Sequence, residues 1–479
     1  MRAGMVLRAA MAAALLALAA GCATTMQDGT VALSPIPASD IKLGEREHPK
    51  VVAAYGGVYE APRLQAYLDE IVGKLAQASS HPEIDFKVTV LNSPSLNAFS
   101  LPGGYLYVTR GLLALANDDA EIATVLSHEM AHVLRRHAIA REEQATAAAV
   151  VSRVVADVVR DPAAGAQALA LTQGRLAQFS RAQELEADSM GITIAARAGY
   201  DPMASVTFLA DLDRQTSLHS RALNQQYDSG RVDLFASHPS TPERIAAAKE
   251  QARAQQVKGE RDRDGYLSAL DGILYGDDPR EGFVRGRTFI HPVLGLTFTL
   301  PNGYGLENTP KAVVGVSAAG DIIRFDGISV SRGVTLTEHL QNSTVRNGTV
   351  GEVTETEING FPVAFADIHA DGWVFRIAIF RARGNDAYRF ILAARELTPE
   401  LAATFETAIR TFRYITPAEA ALARPLKVVA VEAKRGDTVE SLASRMAISD
   451  NRLERFLVLN GLRGNADLKP GNEVKLVVE

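Results

Sequence analysis

Two histidines four residues apart, with a glutamate directly after the first, constrain this chain more than any other feature. Residues 128–132 read His128-Glu129-Met130-Ala131-His132. On an α-helix, residues at that spacing differ by only about 40° in direction, so both imidazoles leave one face. Two neutral imidazoles so placed suit two corners of a tetrahedral Zn²⁺ site. Glu129 sits about 100° round the helix, within reach of a water polarised by such an ion. It can take that water's proton and pass it to a leaving amine, the chemistry of peptide hydrolysis. The flanks Ile122, Val125, Leu126, Ala131 and Val133 are apolar, so the helix reads as buried and its histidines need partners.

A catalytic zinc site takes a third protein ligand and keeps one position open. The candidates are Glu142, Glu143, Glu184, Glu186 and His137. Glu142 and Glu143 lie too close in sequence for their helix to fold back. His137, nine residues after His128, lies on a quite different face. Glu184 and Asp188 share a helix face, whereas Glu186 points almost oppositely. That pairing suits a ligand, Glu184, with a carboxylate, Asp188, that orients a ligating histidine. His238, in Ser237-His238-Pro239, and Arg244 follow. Arg244 pairs with an active-site carboxylate or steadies an oxyanion; the sequence leaves both open.

Around this motif the texture is helical, with apolar periods at 61–79, 180–197, 202–215 and 242–256, and Ala-rich residues at 139–178. A strand at 86–91 and a Gly-broken turn and strand at 97–110 precede it. Residues 257–285 are charged and Gly-containing, a linker with one short helix. From 286 to 415 strand patterns dominate and a helix at 398–413 closes an α+β domain. The expected fold is therefore multidomain. It comprises a mainly α, zincin-type metalloprotease domain with a small edge sheet (61–256), the α+β domain, and a small βααβ domain (427–479).

HEMAH, SRAQELEADSMG and AGYDP together resemble the gluzincin metallopeptidases of the HtpX and CAAX prenyl protease family, in particular the periplasmic BepA-like branch. The likeness spans about residues 60–250. It implies one Zn²⁺ per chain held by His128, His132 and Glu184, with Glu129 as catalytic base and Asp188 in support. In that branch a histidine in an SHP segment can take the fourth zinc position, a role that falls to His238. The segment NAFSLPGGYLYVTRGLL resembles the family's substrate-binding edge strand, placing Gly104, Tyr105, Leu106 and Tyr107 against an extended substrate.

The remaining segments bear on location. Residues 1–22 carry Arg2 and Arg8, an apolar run from Ala9 to Ala20, and then Gly21 and Cys22. Charge, short apolar core and small residues mark a secretory signal. Ala19-Ala20-Gly21-Cys22 resembles a lipobox, which implies lipidation at Cys22, with residues 23–60 as a tether. With Ala23 after the cysteine, the resemblance implies an outer-membrane lipoprotein facing the periplasm of a Gram-negative bacterium. One cysteine excludes an internal disulfide, and a net charge of −6 without a long basic stretch argues against nucleic acid. The stretch HPVLGLTFTLPNGY and Phe412 resemble PsbP- or Mog1-like domains. Arg435-Gly436-Asp437-Thr438, Asn460-Gly461-Leu462 and Lys469-Pro470-Gly471 resemble a LysM module, which implies contact with peptidoglycan. The expected activity is a zinc endopeptidase acting on unfolded or misassembled envelope proteins. A chaperone or adaptor with structural zinc, and a peptidoglycan hydrolase, are the competing expectations.

Overall fold

The computed structural model describes residues 36–143, 181–222, 238 and 242–479, apart from 310, 343–347, 371 and 449. The signal, Cys22 and most of the Ala-rich stretch expected to be helical lie outside the described residues.

Within the stretch 23–60 expected to be a tether, the described residues form helix α1 (Ala38–Ala54). Pro and Ser in that region suggest a tether, but tertiary contacts fix the helix. Buried Asp40 accepts from Arg136 Nε at 2.7 Å and Nη2 at 3.0 Å. Gly44 lies so close to Pro102 that a Cβ would sit 2.1 Å from its carbonyl oxygen. Helix α2 (Pro62–Ala78) follows, burying Leu64, Leu68, Ile71, Val72 and Leu75 along one stripe.

Strands β1 (Lys87–Leu91), β2 (Ala98–Leu101) and β3 (Tyr105–Thr109) form a sheet in the order β1-β3-β2. β3 pairs parallel with β1, Val108 opposite Val90, and antiparallel with β2, Leu106 opposite Ser100. This corrects the expected substrate strand. Tyr105, Leu106 and Tyr107 lie in the central strand, whose backbone groups are used on both sides, and the Gly104 carbonyl accepts from Lys87 N. The edges of the sheet are β1 and β2, and of these β2 lies against the motif helix. Alternating apolar residues identify both stretches as strands but do not say which one is central.

Short helix α3 (Arg110–Leu115) leads to α4 (Asp119–Leu134), the motif helix. Asp118 caps it, accepting from Glu121 N at 2.9 Å. Helix α5 (residues 181–197), α6 (Ala204–Ala222) and α7 (Pro242–Ala254) complete this part. Gly191 lets α5 approach α4, since a Cβ there would meet His128 N at 2.8 Å.

The α+β region holds an eight-stranded sheet in the order Thr349–Val350, Phe361–Ala370, Trp373–Arg381, Asp386–Ala394, Ile322–Ser329, Ala312–Ser317, Tyr304–Thr309, with Thr354–Ile358 also on Phe361–Ala370. A core of Phe298, Phe361, Phe380, Phe390 and Phe412 packs under helix Pro399–Arg410.

The last unit pairs Leu426–Glu432 antiparallel with Glu473–Val478, with helices Val439–Ser444 and Arg452–Leu459 between them in sequence. Leu274–Tyr275, from the expected linker, adds a third strand. The unit is seated on the helical part that carries the motif helix. Fully buried Lys475 donates from Nζ to the carbonyls of Ala114 at 2.8 Å, Leu115 at 3.0 Å and Ala116 at 2.6 Å. Arg463 Nη2 lies 3.1 Å from Asp211 Oδ1, and Arg214 Nη2 donates to the Leu462 carbonyl.

Candidate metal centre

His128 and His132 project from one face of α4, as their spacing requires, with ring centroids 4.7 Å apart. Their Nε2 atoms lie 3.0 Å from each other. From α5, Glu184 brings Oε2 to 3.4 Å from His128 Nε2 and Oε1 to 3.5 Å from His132 Nε2. His238 closes the group: Nδ1 is 3.3 Å from His128 Nε2 and 2.8 Å from both Glu184 oxygens. Among the described residues, these four side chains form the group able to hold a metal ion, with donor atoms within 4.8 Å of one another.

The donor set fits zinc. Bonds of about 2.0–2.1 Å in a tetrahedron place donors about 3.3 Å apart. The separations of 3.0, 3.4 and 3.5 Å among His128, His132 and Glu184 bracket that value. Electrostatics agree. Burial pushes Glu184 up, but the charge of His238 and the hydrogen bond with His128 outweigh it and hold the carboxyl well below its usual range. Burial opposes charge on His128 too, yet hydrogen bonds to Asp188 and Glu184 raise it to about 10. The pocket therefore favours positive charge, as a proton on His128 or as a divalent ion. His132 is pushed well down by burial and by His128, which keeps it a neutral donor.

The surrounding side chains fix these donors. Asp188 Oδ1 lies 2.9 Å from His128 Nδ1, the nitrogen facing away from the cluster. Arg244 holds the same carboxylate with Nε and Nη2, each at 2.8 Å, and its Nη1 lies 3.3 Å from Glu184. Of its two expected roles, Arg244 is thus seen paired with carboxylates. Burial raises Asp188, but the Arg244 hydrogen bonds and charge bring it down to about 2. Glu129 is buried beside the cluster and ligates nothing in it. Ser100 on β2 donates to its Oε2 at 3.2 Å, and His238 Nε2 is 3.4 Å from its Oε1. Glu142 and Glu143 are exposed.

Sequence reasoning placed His137 on a distant face and Glu186 pointing away. In the structure His137 Nδ1 is 2.8 Å from His132 Nδ1, and its Nε2 is 3.3 Å from Glu186 Oε2. The reason is a break in the helix. α4 ends at Leu134 and Arg136 adopts φ 54°, so the chain turns and His137 comes back over the motif. The two consecutive arginines before His137 carry no turn signal, and Asp40, far away in sequence, holds Arg136 in place. Ser100 was also missed, because its role depends on β2 being the edge.

A cleft of about 200 Å³ opens on Glu129 and His132 and is lined also by Ile36, Phe99, Leu101 and His238.

Residues 62–252 match the model of peptidase family M48. Among curated proteins, the chain is 30% identical over 208 residues to the beta-barrel assembly-enhancing protease of Escherichia coli, covering 41% of this chain and 40% of that protein. It is 31% identical over 226 residues to the mitochondrial metalloendopeptidase OMA1 of Schizosaccharomyces pombe, covering 46% of this chain and 63% of that one. The Arabidopsis thaliana OMA1 is 37% identical over 173 residues, covering 36% and 33%. The chain thus spans less than half the length of the bacterial relatives it matches. Among solved structures, the cyanobacterial PsbP of Synechocystis sp. PCC 6803 aligns with a TM-score of 0.22 at 12% identity, over 27% of this chain and 91% of that one.

Proposed function

We propose that this chain, which carries a peptidase family M48 domain at residues 62–252, is a zinc-dependent endopeptidase. One observation carries the reading: Glu129 is buried beside the three donors His128, His132 and Glu184 yet stands outside the group that could hold the ion. A purely structural ion would have no use for a buried carboxylate so placed. Zinc, when bound there, supplies a Lewis acid that polarises water and the scissile carbonyl. The chain's own residues do the rest. Glu129 takes a proton from the attacking water and delivers it to the leaving amine, and Ser100 fixes its carboxylate. Asp188, gripped by Arg244, holds His128 in the tautomer that offers Nε2 to the ion. Strand β2 aligns an extended substrate along the cleft by main-chain hydrogen bonds.

His238 acts as a plug. Its Nδ1 takes the fourth donor position and its Nε2 reaches Glu129, so it must leave before a substrate carbonyl enters. The same observation favours a second reading, an adaptor with a closed structural site, because structural zinc sites are four-coordinate.

The protein works in the periplasm, held to the outer membrane through a lipidated Cys22, and removes misfolded or misassembled envelope proteins. The likeness to beta-barrel assembly-enhancing proteases supports this, as do the signal and lipobox. Among the described residues no helix is long and apolar enough to cross a membrane. The βααβ order of residues 426–478 supports a LysM-like module that contacts peptidoglycan.

The test is cleavage of casein by the purified protein and by Glu129→Gln, with zinc measured in both. Zinc in both and cleavage only by wild type is the expected result. Cleavage by Glu129→Gln would remove Glu129 from its role. If neither cleaves, His238→Ala separates a plugged enzyme, which it activates, from an adaptor, which stays inert.

A further inference from the structure

The two histidines of the motif are held from behind in different ways. His128 Nδ1 meets a carboxylate directly, Asp188 at 2.9 Å. His132 Nδ1 meets a second imidazole, His137, at 2.8 Å, with the rings nearly perpendicular at 74°. His137 is buried and its other nitrogen, Nε2, reaches Glu186. Glu186 is anchored in turn by Arg135, Nε to Oε1 at 2.8 Å, and its side chain is 44% exposed.

A hydrogen bond between two ring nitrogens needs one donor and one acceptor. His132 Nε2 faces His128 and Glu184, so a neutral His132 that offers this lone pair to zinc carries its hydrogen on Nδ1. That hydrogen points at His137 Nδ1, which must then be the acceptor. His137 therefore carries its own hydrogen on Nε2, where Glu186 accepts it. The opposite tautomer of His137 would direct its Nδ1 hydrogen at His132 and force the His132 hydrogen onto the zinc-facing nitrogen. We infer that His137 and Glu186 form a relay that sets the tautomer and ring orientation of His132, and so act as positioning residues for the zinc site. Glu186 is thereby linked electronically to the ion through two imidazoles, while Asp188 acts through one.

This inference rests on His132 being a zinc ligand, as proposed above. The experiment measures zinc affinity of the full chain by competition with a chromophoric chelator, for wild type, His137→Leu, His137→Gln and Glu186→Ala. His137→Leu keeps apolar bulk but removes the acceptor, and should weaken zinc binding about 10–100-fold. His137→Gln retains a carbonyl acceptor and an amide donor, and should recover most of the loss. Glu186→Ala, at a half-exposed position that folding tolerates, should lose about tenfold or less. The melting temperatures of the metal-free forms should stay alike, while the rise on adding zinc shrinks for His137→Leu and Glu186→Ala. A purely packing role would instead lower the metal-free values and leave zinc affinity unmoved, which overturns the relay. If His137→Leu fails to fold, Glu186→Ala decides alone, and zinc affinity within twofold of wild type overturns the relay. Wild type that binds no zinc would overturn the peptidase reading itself. Tight binding by wild type and all variants would overturn only the relay.

Discussion

Replacing Lys475 with methionine should destabilise the peptidase domain, although the residue lies over 340 positions after the motif. Its ammonium donates to the carbonyls of Ala114, Leu115 and Ala116. These end helix α3, where carbonyls lack partners within the helix and carry partial negative charge. Each such charge-assisted bond is worth roughly 1.5–3 kcal/mol. Against that stands the cost of burying the ammonium, several kcal/mol, which methionine does not incur. Burial and Arg263 pull the Lys475 pKa well down, while Glu121, Asp211 and Asp118 favour its charge. Methionine fills nearly the same volume, so little cavity term arises. What remains is the penalty for the buried carbonyls that lose this donor, chiefly Ala114 and Ala116, since Asn117 Nδ2 also donates to the Leu115 carbonyl. The net loss is about 3 kcal/mol, at roughly 1–3 kcal/mol for each buried acceptor left without a donor. Urea unfolding followed by far-ultraviolet circular dichroism would measure it, and hydrogen exchange at the amides of 110–121 would locate it. Casein cleavage should fall with it, because residues 116–118 lead into the cap of the motif helix. A loss below about 1 kcal/mol, with unchanged exchange in that segment, would refute the reasoning.

Other outcomes follow from the same geometry. His238→Ala should increase casein cleavage, since it vacates the fourth donor position; unchanged or lower activity removes the plug. Gly191→Ala puts a methyl 2.8 Å from His128 N, so it should cost roughly 1–3 kcal/mol of stability and weaken zinc binding without touching a ligand. Zinc affinity equal to wild type would show that α5 need not approach so closely. Asp188 titrates at about 2 in the folded chain, below its unfolded value of about 3.9. Its contribution is thus present above about pH 4 and lost as pH falls toward 2. In the metal-free protein Asp188→Asn should flatten the pH dependence of stability in that window, as acid titration of the unfolding midpoint would show.

The motif helix and the shared face of Glu184 and Asp188 were legible because each rests on spacing within one helix. The linker reading of 257–285 captured its short helix, observed at Arg263–Leu270, but not the strand Leu274–Tyr275, whose partner lies far away in sequence. Three readings failed for one physical reason: they turn on which distant segments meet. Helix α1 is held by Arg136 and by the loop at Pro102. The centre and edge of the small sheet depend on β1 arriving beside β3. His137 reaches His132 only because Arg136 leaves the helix, and no local propensity in Arg135-Arg136-His137 announces that.

The identity of the edge strand has a further consequence. β2 is four residues long, Ala98–Leu101, so a substrate aligned on it as proposed would pair over about 13 Å of extended backbone. Recognition through peptide groups ignores most side chains and asks only whether such a length of chain is free. A folded polypeptide offers it during local opening, and every 1.4 kcal/mol of opening free energy lowers the available fraction about tenfold. Discrimination among clients would then be thermodynamic, a reading of how loosely a chain is folded, with no consensus sequence to find around the cut.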